Sequence, residues 1–420
     1  MEMQIDHLSD IISNLPDHVI ETILVHLPIR DAVRTSVLSH KWMYKWDTIP
    51  ELVFDENSIP PTEDGTIRID KLVNFIDRVL LRHKGPVRKF DLSTRFFNNS
   101  FIDSWILFLS RNGVKELSLQ FHYTRPYKVP YSFFSCQAIT CLNLSCCMLK
   151  PPSGFKGFSD LKSLNLELVA LSNEVFDTII SNCITLERLI LKKLHGCTRL
   201  KIRGLNLQHF CFNGELTDIC FIDAPKLSFV SIILQDSLFK QVGQGESSNL
   251  IKVLGSLTGL EKLDMGCYFM EFLAFGNLPA RLPVTYDRLK CISLGINFED
   301  LNESLVMLCL LQSSPNLHEI EFLVDKGVVT ESAGDFWEAQ GHLDWSMNHL
   351  RVVRAYEIDI VGAQPELQFI KFLLVNSPVL ETLNVTPKSG KNIDKLKMLE
   401  ELLRFRRASA SAEIISNRNF

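Results

Sequence analysis

Apolar residues fall along this chain in two rhythms. From Ile11 to Trp46 (IISNLPDHVIETILVHLPIRDAVRTSVLSHKWMYKW) they recur at three- and four-residue steps, the spacing of short helices with one apolar face. Val19, Ile20, Ile23, Leu24 and Leu27 make the first face. Pro16 suits the first position of that helix and Pro28 ends it. Asp17 and Glu21 put negative charge near its positive end. Ile29, Val33, Val37 and Leu38 form a second, shorter face, and Trp42 and Trp46, four apart, share a third.

From Val114 onward the rhythm changes to an apolar residue, two others, an apolar, one other, an apolar. The phrase occurs as VKELSL at Val114, ITCLNL at Ile139, LKSLNL at Leu161, LERLIL at Leu186, LQHFCF at Leu207 and LSFVSI at Leu227. It returns as LEKLDM at Leu260, LKCISL at Leu289, LHEIEF at Leu317, LRVVRA at Leu350 and LETLNV at Leu380. The starts lie 20 to 33 residues apart, a self-similarity that predicts a solenoid of strand-bearing repeats. Alternate apolar side chains then point inward and the residues between them line a concave face. An unrelated α/β fold with parallel strands is the rival, and eleven phrases in one frame weigh against it.

The segments between phrases fit helices on the other side, as at Asn173–Asn182 and Leu301–Ser313. Ser314-Pro315 and Ser377-Pro378 break each helix before the next strand, and Cys183–Leu186 does so without proline. Between the two rhythms, Glu51–Arg68, with Pro60-Pro61 and Asp64-Gly65, reads as a loop or linker. Ile69–His83 reads as a helix, Val87–Leu92 as a strand, and Phe101–Arg111 as a helix burying Trp105, Phe108 and Leu109. Near the end, Leu396, Leu399, Leu402, Leu403 and Phe405 of a helix over Leu396–Arg407 can cover the last repeat. Lys395, Lys397, Arg404, Arg406 and Arg407 read as its solvated side, and Ala408–Phe420 as a frayed tail.

Three short helices in so few residues bury their own apolar surface poorly. The surplus covers either the first repeat or a partner. Leu15-Pro16, Ile23, Leu27-Pro28, Arg30-Asp31-Ala32, Ser36-Val37-Leu38-Ser39, Lys41-Trp42 and Trp46 resemble the F-box motif in its plant form, over roughly Leu8 to Phe54. That resemblance implies a Skp-type adaptor as partner and, through it, a cullin–RING ubiquitin ligase. It assigns Leu15, Pro16, Leu27, Pro28, Ile29, Val33, Val37 and Leu38 to the adaptor surface. The L-x-x-L-x-L phrase resembles the strand of a leucine-rich repeat. Phe336-Trp337, Leu350–Val353, Glu366–Leu374 and Asn376–Glu381 resemble the FBD region that follows the repeats in plant F-box proteins, with Trp345 as a departure. The expected α/β organisation is a three-helix F-box (8–54), a linker and solenoid cap (55–113), leucine-rich repeats (114–335) and FBD-like terminal repeats with a cap (336–410).

Charge and chemistry narrow this picture. The net charge of −5 argues against nucleic acid as a bulk electrostatic partner. No apolar run reaches the roughly 18 residues of a membrane span, and MEMQIDHLSD is not a secretory signal. Eleven scattered cysteines read as reduced, buried thiols of a cytoplasmic or nuclear protein. The Asn-x-Ser/Thr triplets at Asn98, Asn143, Asn302 and Asn384 are then chance matches.

No phosphate loop, nucleophile elbow, H-E-x-x-H or G-x-G-x-x-G occurs, and Gly390-Lys391 lacks the upstream glycine and the hydroxyl of a phosphate loop. Cys141, Cys146 and Cys147 contain no C-x-x-C pair, so core thiols are expected there rather than a metal. Neither catalytic residues nor a cofactor are expected. The reading is a target-recognition subunit of a ubiquitin ligase. Its rivals are a leucine-rich scaffold outside any ligase and a ligand-assisted receptor. The candidate target-binding residues are Glu116, Asn143, Asn165, Glu187, Glu261, Lys262, Glu319 and Glu321, whose acidic bias suits a basic target.

Overall fold

The computed structural model describes residues 12, 14–60, 69–95, 99–122, 125–235, 249–340, 346–358, 365–388 and 392–416. The amino-terminal decapeptide, residues 241–248, Asn98, Trp345 and Gly390-Lys391 lie outside the described residues, as do the side chains of Lys395, Leu396 and Lys397. The chain divides into two compact units, Met1–Ile184 with Leu194–Gly196, and Thr185–Lys193 with Cys197–Phe420.

The first unit opens with α1 (Asp17–Val25) and α2 (Ile29–Arg34). The expected third helix is replaced by 3-10 turns at Thr35–Val37 and Lys45–Thr48, which still bury Trp42 and Trp46. Then come β1 (Glu51–Phe54), α3 (Ile69–Arg82), β2 (Lys89–Thr94), α4 (Asn99–Arg111), β3 (Glu116–Phe121) and β4 (Tyr127–Lys128). The unit continues with β5 (Cys141–Ser145), β6 (Cys147–Met148), β7 (Ser163–Glu167) and α5 (Asn173–Asn182). Strands β1, β2, β3, β5 and β7 pair in parallel in that order.

Each phrase becomes a strand beginning two residues after its first apolar residue. That first residue is itself buried, as Val114, Ile139 and Leu161 show. Alternation then buries Leu117, Leu119 and Phe121 of β3, Leu142 and Leu144 of β5, and Leu164 and Leu166 of β7. Glu51–Arg68 departs from the linker reading, because its first four residues form the edge strand β1. Leu52 and Phe54 are fully buried there, with the Phe54 ring 5.7 Å from Phe90 and 6.0 Å from Phe75.

The second unit holds β8 (Arg188–Lys192), β9 (Arg199–Arg203), β10 (His209–Gly214), β11 (Asp218–Ile222), β12 (Phe229–Leu234) and α6 (Asn249–Leu254). Next are β13 (Lys262–Met265), α7 (Cys267–Leu273), β14 (Cys291–Ile296), α8 (Leu301–Gln312), β15 (Glu319–Val324) and α9 (Phe336–Gln340). It closes with β16 (Val352–Ile358), α10 (Pro365–Asn376), β17 (Thr382–Pro387), α11 (Asn392–Arg404) and β18 (Glu413–Ser416). Strands β8, β10, β12, β13, β14, β15, β16, β17 and β18 pair in parallel in that order.

Repeat length selects what lies behind the sheet. Steps of about 28 to 33 residues have room for α6, α7, α8, α9 and α10. Steps of 20 to 22 residues hold only the short strands β6, β9 and β11, and steps of 25 hold β4 in one case and α5 in the other. Where a helix is missing after β3, Phe133, Phe134, Phe155 and Phe158 fill the layer edge to face, with centroids 4.9–5.6 Å apart.

The carboxyl end corrects two expectations. Of the proposed capping residues, Leu402 is buried with Met398, but Leu403 is 61% exposed. The segment expected as a frayed tail supplies β18, paired with β17 from Glu413 to Ser416. Ser409, buried, donates to the Leu380 carbonyl at 2.6 Å, and Arg407 donates to the Ala412 carbonyl at 3.0 Å. Deleting residues 408–420 would unpair the edge of β17 and is expected to cost about 1–2 kcal/mol. Thermal unfolding of the truncated chain checks this, and an unchanged midpoint would return the segment to a frayed tail.

Candidate protein-binding surfaces

The amino-terminal module leaves apolar side chains uncovered. Ile20, Leu24 and Ala32 are fully buried in its core, with Ile29 at 4%. Ile29 therefore leaves the set of residues presented to a partner, because the turn at Pro28 points it inward with Ala32. Val37 is 87% exposed, and Leu38, Ile12, Val25, Ile23 and Tyr44 are exposed as well. Pro16 and Pro28 are exposed, while Leu15, Leu27 and Val33 are half-buried.

Pro16 sits one position earlier than expected. It is the residue before α1, and its carbonyl accepts from Val19 and Ile20. Polar contacts hold the leading segment in place. The Trp42 indole donates to the Ile12 carbonyl at 3.0 Å, and the Lys41 ammonium donates to the Leu15 carbonyl. Asp17 pairs with Lys45 at 3.0 Å and Lys41 at 3.6 Å. The bond from Lys45 holds the Asp17 carboxyl below the usual carboxylate range. Ile12, Val25 and Tyr44 were missed because their exposure depends on how this short module folds, not on helical period.

The second surface is the open face of the strands. In the first unit Ser118, Asn143 and Asn165 are in register on β3, β5 and β7. The Asn165 amide donates to Asn143 Oδ1 at 3.0 Å, and the Asn143 amide donates to Ser118 Oγ at 3.2 Å. Asn165 Oδ1 has no partner among the described residues. Glu116 lies exposed on the neighbouring rung, opposite Cys141. A depression of about 370 Å³ adjoins the ladder, with Gln120, Ser145 and Glu167 beside the two asparagines.

In the second unit Lys262, Glu319 and Glu321 occupy open-face positions. Lys262 lies over the Phe229 ring at 6.0 Å, and Glu319 is ion-paired with Arg354. Glu187 and Glu261 are not on this face. They occupy the turn before their strands, where the Glu187 carbonyl accepts from Gln208 and His209 and the Glu261 carbonyl from Lys290 and Cys291. The face residues there are Arg188 and Lys262, so the acidic bias is weaker than expected. The signal was available: only the third and fifth positions of each phrase face outward.

The cysteines are all buried or half-buried. Burial pushes the Cys136 thiol up to about 12 and the Cys183 thiol to about 11, and raises Cys141 and Cys147. All eleven are free thiols. Among the described residues no group of histidine, cysteine or carboxylate side chains could hold a metal ion, and no helix is long and apolar enough to cross a membrane.

Two families match the chain. Residues 12–53 match the F-box domain, and residues 102–322 match the leucine-rich repeats of the FBD-associated F-box protein At5g56370. The F-box/FBD/LRR-repeat protein At1g13570 of Arabidopsis thaliana is 43% identical over 414 residues, covering 97% of this chain and 98% of that protein. The FBD-associated F-box protein At1g66310 of the same plant is 28% identical over 455 residues, covering 98% and 97% of the two chains. A leucine-rich-repeat protein of Leptospira interrogans, LIC12759, aligns over 87% of this chain and 95% of its own at 13% identity, with a TM-score of 0.31.

Proposed function

Because the chain belongs to the plant F-box/FBD/LRR-repeat family, we propose that it is the target-recognition subunit of a Skp–cullin–F-box ubiquitin ligase. The observation that carries this reading is the uncovered apolar set on the amino-terminal module, with Val37 and Leu38 foremost. Exposed apolar clusters of this kind mark protein contacts. The module docks on a Skp-type adaptor and through it on the cullin–RING assembly. The strand face holds a target protein. The chain supplies no bond chemistry of its own. It raises the effective concentration of target lysines at the ligase's ubiquitin-transfer centre and orients them. Its free thiols suit the reducing cytoplasm or nucleus.

The test is binding of the purified full chain to a Skp-type adaptor. Val37→Asp/Leu38→Asp places two charges on exposed positions and should weaken binding by at least about a hundredfold, the loss expected from charging the centre of an apolar interface. Leu15→Ala/Pro16→Ala should weaken it by about tenfold or more through lost contact and a loosened segment ahead of α1. Thermal unfolding of the Val37→Asp/Leu38→Asp chain should match wild type, because neither side chain is buried. A well-folded wild-type chain that does not bind the adaptor would overturn the ligase reading and leave a scaffold.

A further inference from the structure

At the carboxyl ends of β12 to β16, the open face of the second unit contains a hollow of about 580 Å³. Two of its lining residues are glycines whose side-chain positions are taken by neighbours, Cys267 at Gly295 and Ile233 at Gly266. Gly295 pairs with Leu323, which pairs with Tyr356, and Gly266 follows the end of β13 on the same side. Glycine at 295 is enforced by packing. A Cβ there would lie 2.2 Å from Cys267 Sγ and 2.8 Å from the Cys267 backbone nitrogen.

The walls are Ile233, Tyr268, Leu323 and Tyr356, of which Ile233 is 39%, Leu323 43% and Tyr268 37% exposed. Large apolar side chains left uncovered around one concavity are a binding feature. Three carboxylates also line it: Asp264 and Glu321, on one rung with Ser293 between them and Arg354 next beyond Glu321, and Asp325. Among the described residues, no lysine, arginine or histidine lines it. Asp264 is oriented by the Ser231 hydroxyl at 2.7 Å. The nearby cations are engaged elsewhere, Arg354 with Glu319 and Lys262 over Phe229. None of the three carboxylates forms an ion pair with a described residue.

Apolar walls and a lining whose only charges, among the described residues, are carboxylates select an occupant that is both apolar and cationic. We infer that this hollow grips the target through an arginine side chain carried on an apolar segment. The inference rests on reading the chain as a target receptor. Arginine suits the hollow better than lysine. Its planar guanidinium can bridge two carboxylates and stack on tyrosine, and its methylene stem can lie against Leu323 and Ile233.

The test uses the full chain without adaptor, so it stands apart from the ligase reading. The probe is a set of fluorescent hexapeptide pools, degenerate except at one central position that holds Arg, Lys, Gln or Glu. Binding is followed by fluorescence polarisation. The Arg pool should bind at least about tenfold more tightly than the Gln pool in 0.1 M salt, with the advantage shrinking as salt rises. Asp264→Asn/Glu321→Gln should reduce the preference to below about threefold at an unchanged thermal midpoint, and Asp325→Asn should reduce it in part. Glu400→Gln, on exposed α11, should leave it unchanged. Equal binding of the Arg and Gln pools, equal binding of the Lys and Arg pools, or a preference that survives the double substitution would overturn the inference. A chain that binds adaptor but shows no Arg preference loses only this site. One that prefers Arg but binds no adaptor loses only the ligase reading.

Discussion

Replacing Trp337 by alanine is expected to lower stability by about 3–5 kcal/mol, the range for removing a large aromatic side chain from a packed core. The ring is 1% exposed. Its centroid lies 4.5 Å from Phe369, 5.2 Å from Phe372, 5.1 Å from Phe336 and 6.4 Å from Phe298. Phe369 in turn packs on Phe322 of β15 at 5.4 Å. One side chain therefore ties α9 and α10 to a strand of the preceding repeat. The loss has a polar part too. The Trp337 indole donates to the Ser304 hydroxyl at 3.2 Å, and Ser304 is fully buried on α8. Alanine would leave that hydroxyl without its partner as well as opening a cavity. Trp337→Phe keeps most of the ring but not the N–H, and should cost about 1–2 kcal/mol. Urea unfolding followed by far-ultraviolet circular dichroism checks both. A Trp337→Ala chain within 1 kcal/mol of wild type would mean the cluster is not a core.

The same contacts explain which features were legible in the sequence. A strand inside a repeat announces itself, because its period-two apolar pattern is set by the sheet on which it stacks. All eleven phrases appear as strands for that reason. Strands at the ends carry weaker marks. β1 is four residues long with only Leu52 and Phe54 facing inward, and β18 has a half-buried Ile414 and an exposed Ile415. Their structure comes from the neighbouring strand's free backbone groups, which no local pattern reports. The short strands behind the sheet are similar, since β4 and β6 have two residues each.

The binding surfaces divide along the same line. The outward positions of a strand follow from parity, so Glu116, Asn143 and Glu319 could be placed in advance, whereas Glu187 and Glu261 belong to turns. Gly295 acquires meaning only when strand register sets it beside Leu323 and the fold brings Cys267 against it. In the amino-terminal module, the buried Ile29 and exposed Ile23 are decided by three short elements folding on one another, which helical period alone cannot resolve.

Glu303 should make the stability of the second unit fall as pH rises. The D-x-x-E sequence of Asp300 and Glu303 is a helix-start signature, and Asp300 does cap α8 by accepting from the Asn302 and Glu303 backbone. Glu303 departs from the pattern. It is 4% exposed, and its Oε2 accepts from the Asn297 N–H at 2.9 Å. Burial pushes its carboxyl up to about 8. The Asn297 bond offsets this in part, and repulsion from Asp300, Glu271 and Asp325 adds to it. A carboxyl raised above its unfolded value keeps its proton in the folded state. Between its ordinary value of 4.5 and about 8 the folded chain therefore binds more protons than the unfolded one. Stability falls with rising pH across that window and levels off above it. The full effect is on the order of 4 kcal/mol. Glu303→Gln retains an acceptor for Asn297 and cannot ionise. It should match wild type near pH 5, and exceed it by a growing margin up to pH 8.5. Denaturant midpoints at pH 5, 7 and 8.5 measure the margin. Parallel wild-type and variant profiles would mean that Glu303 ionises in the folded chain as readily as in water, and that the carboxylates around it exert no repulsion on it.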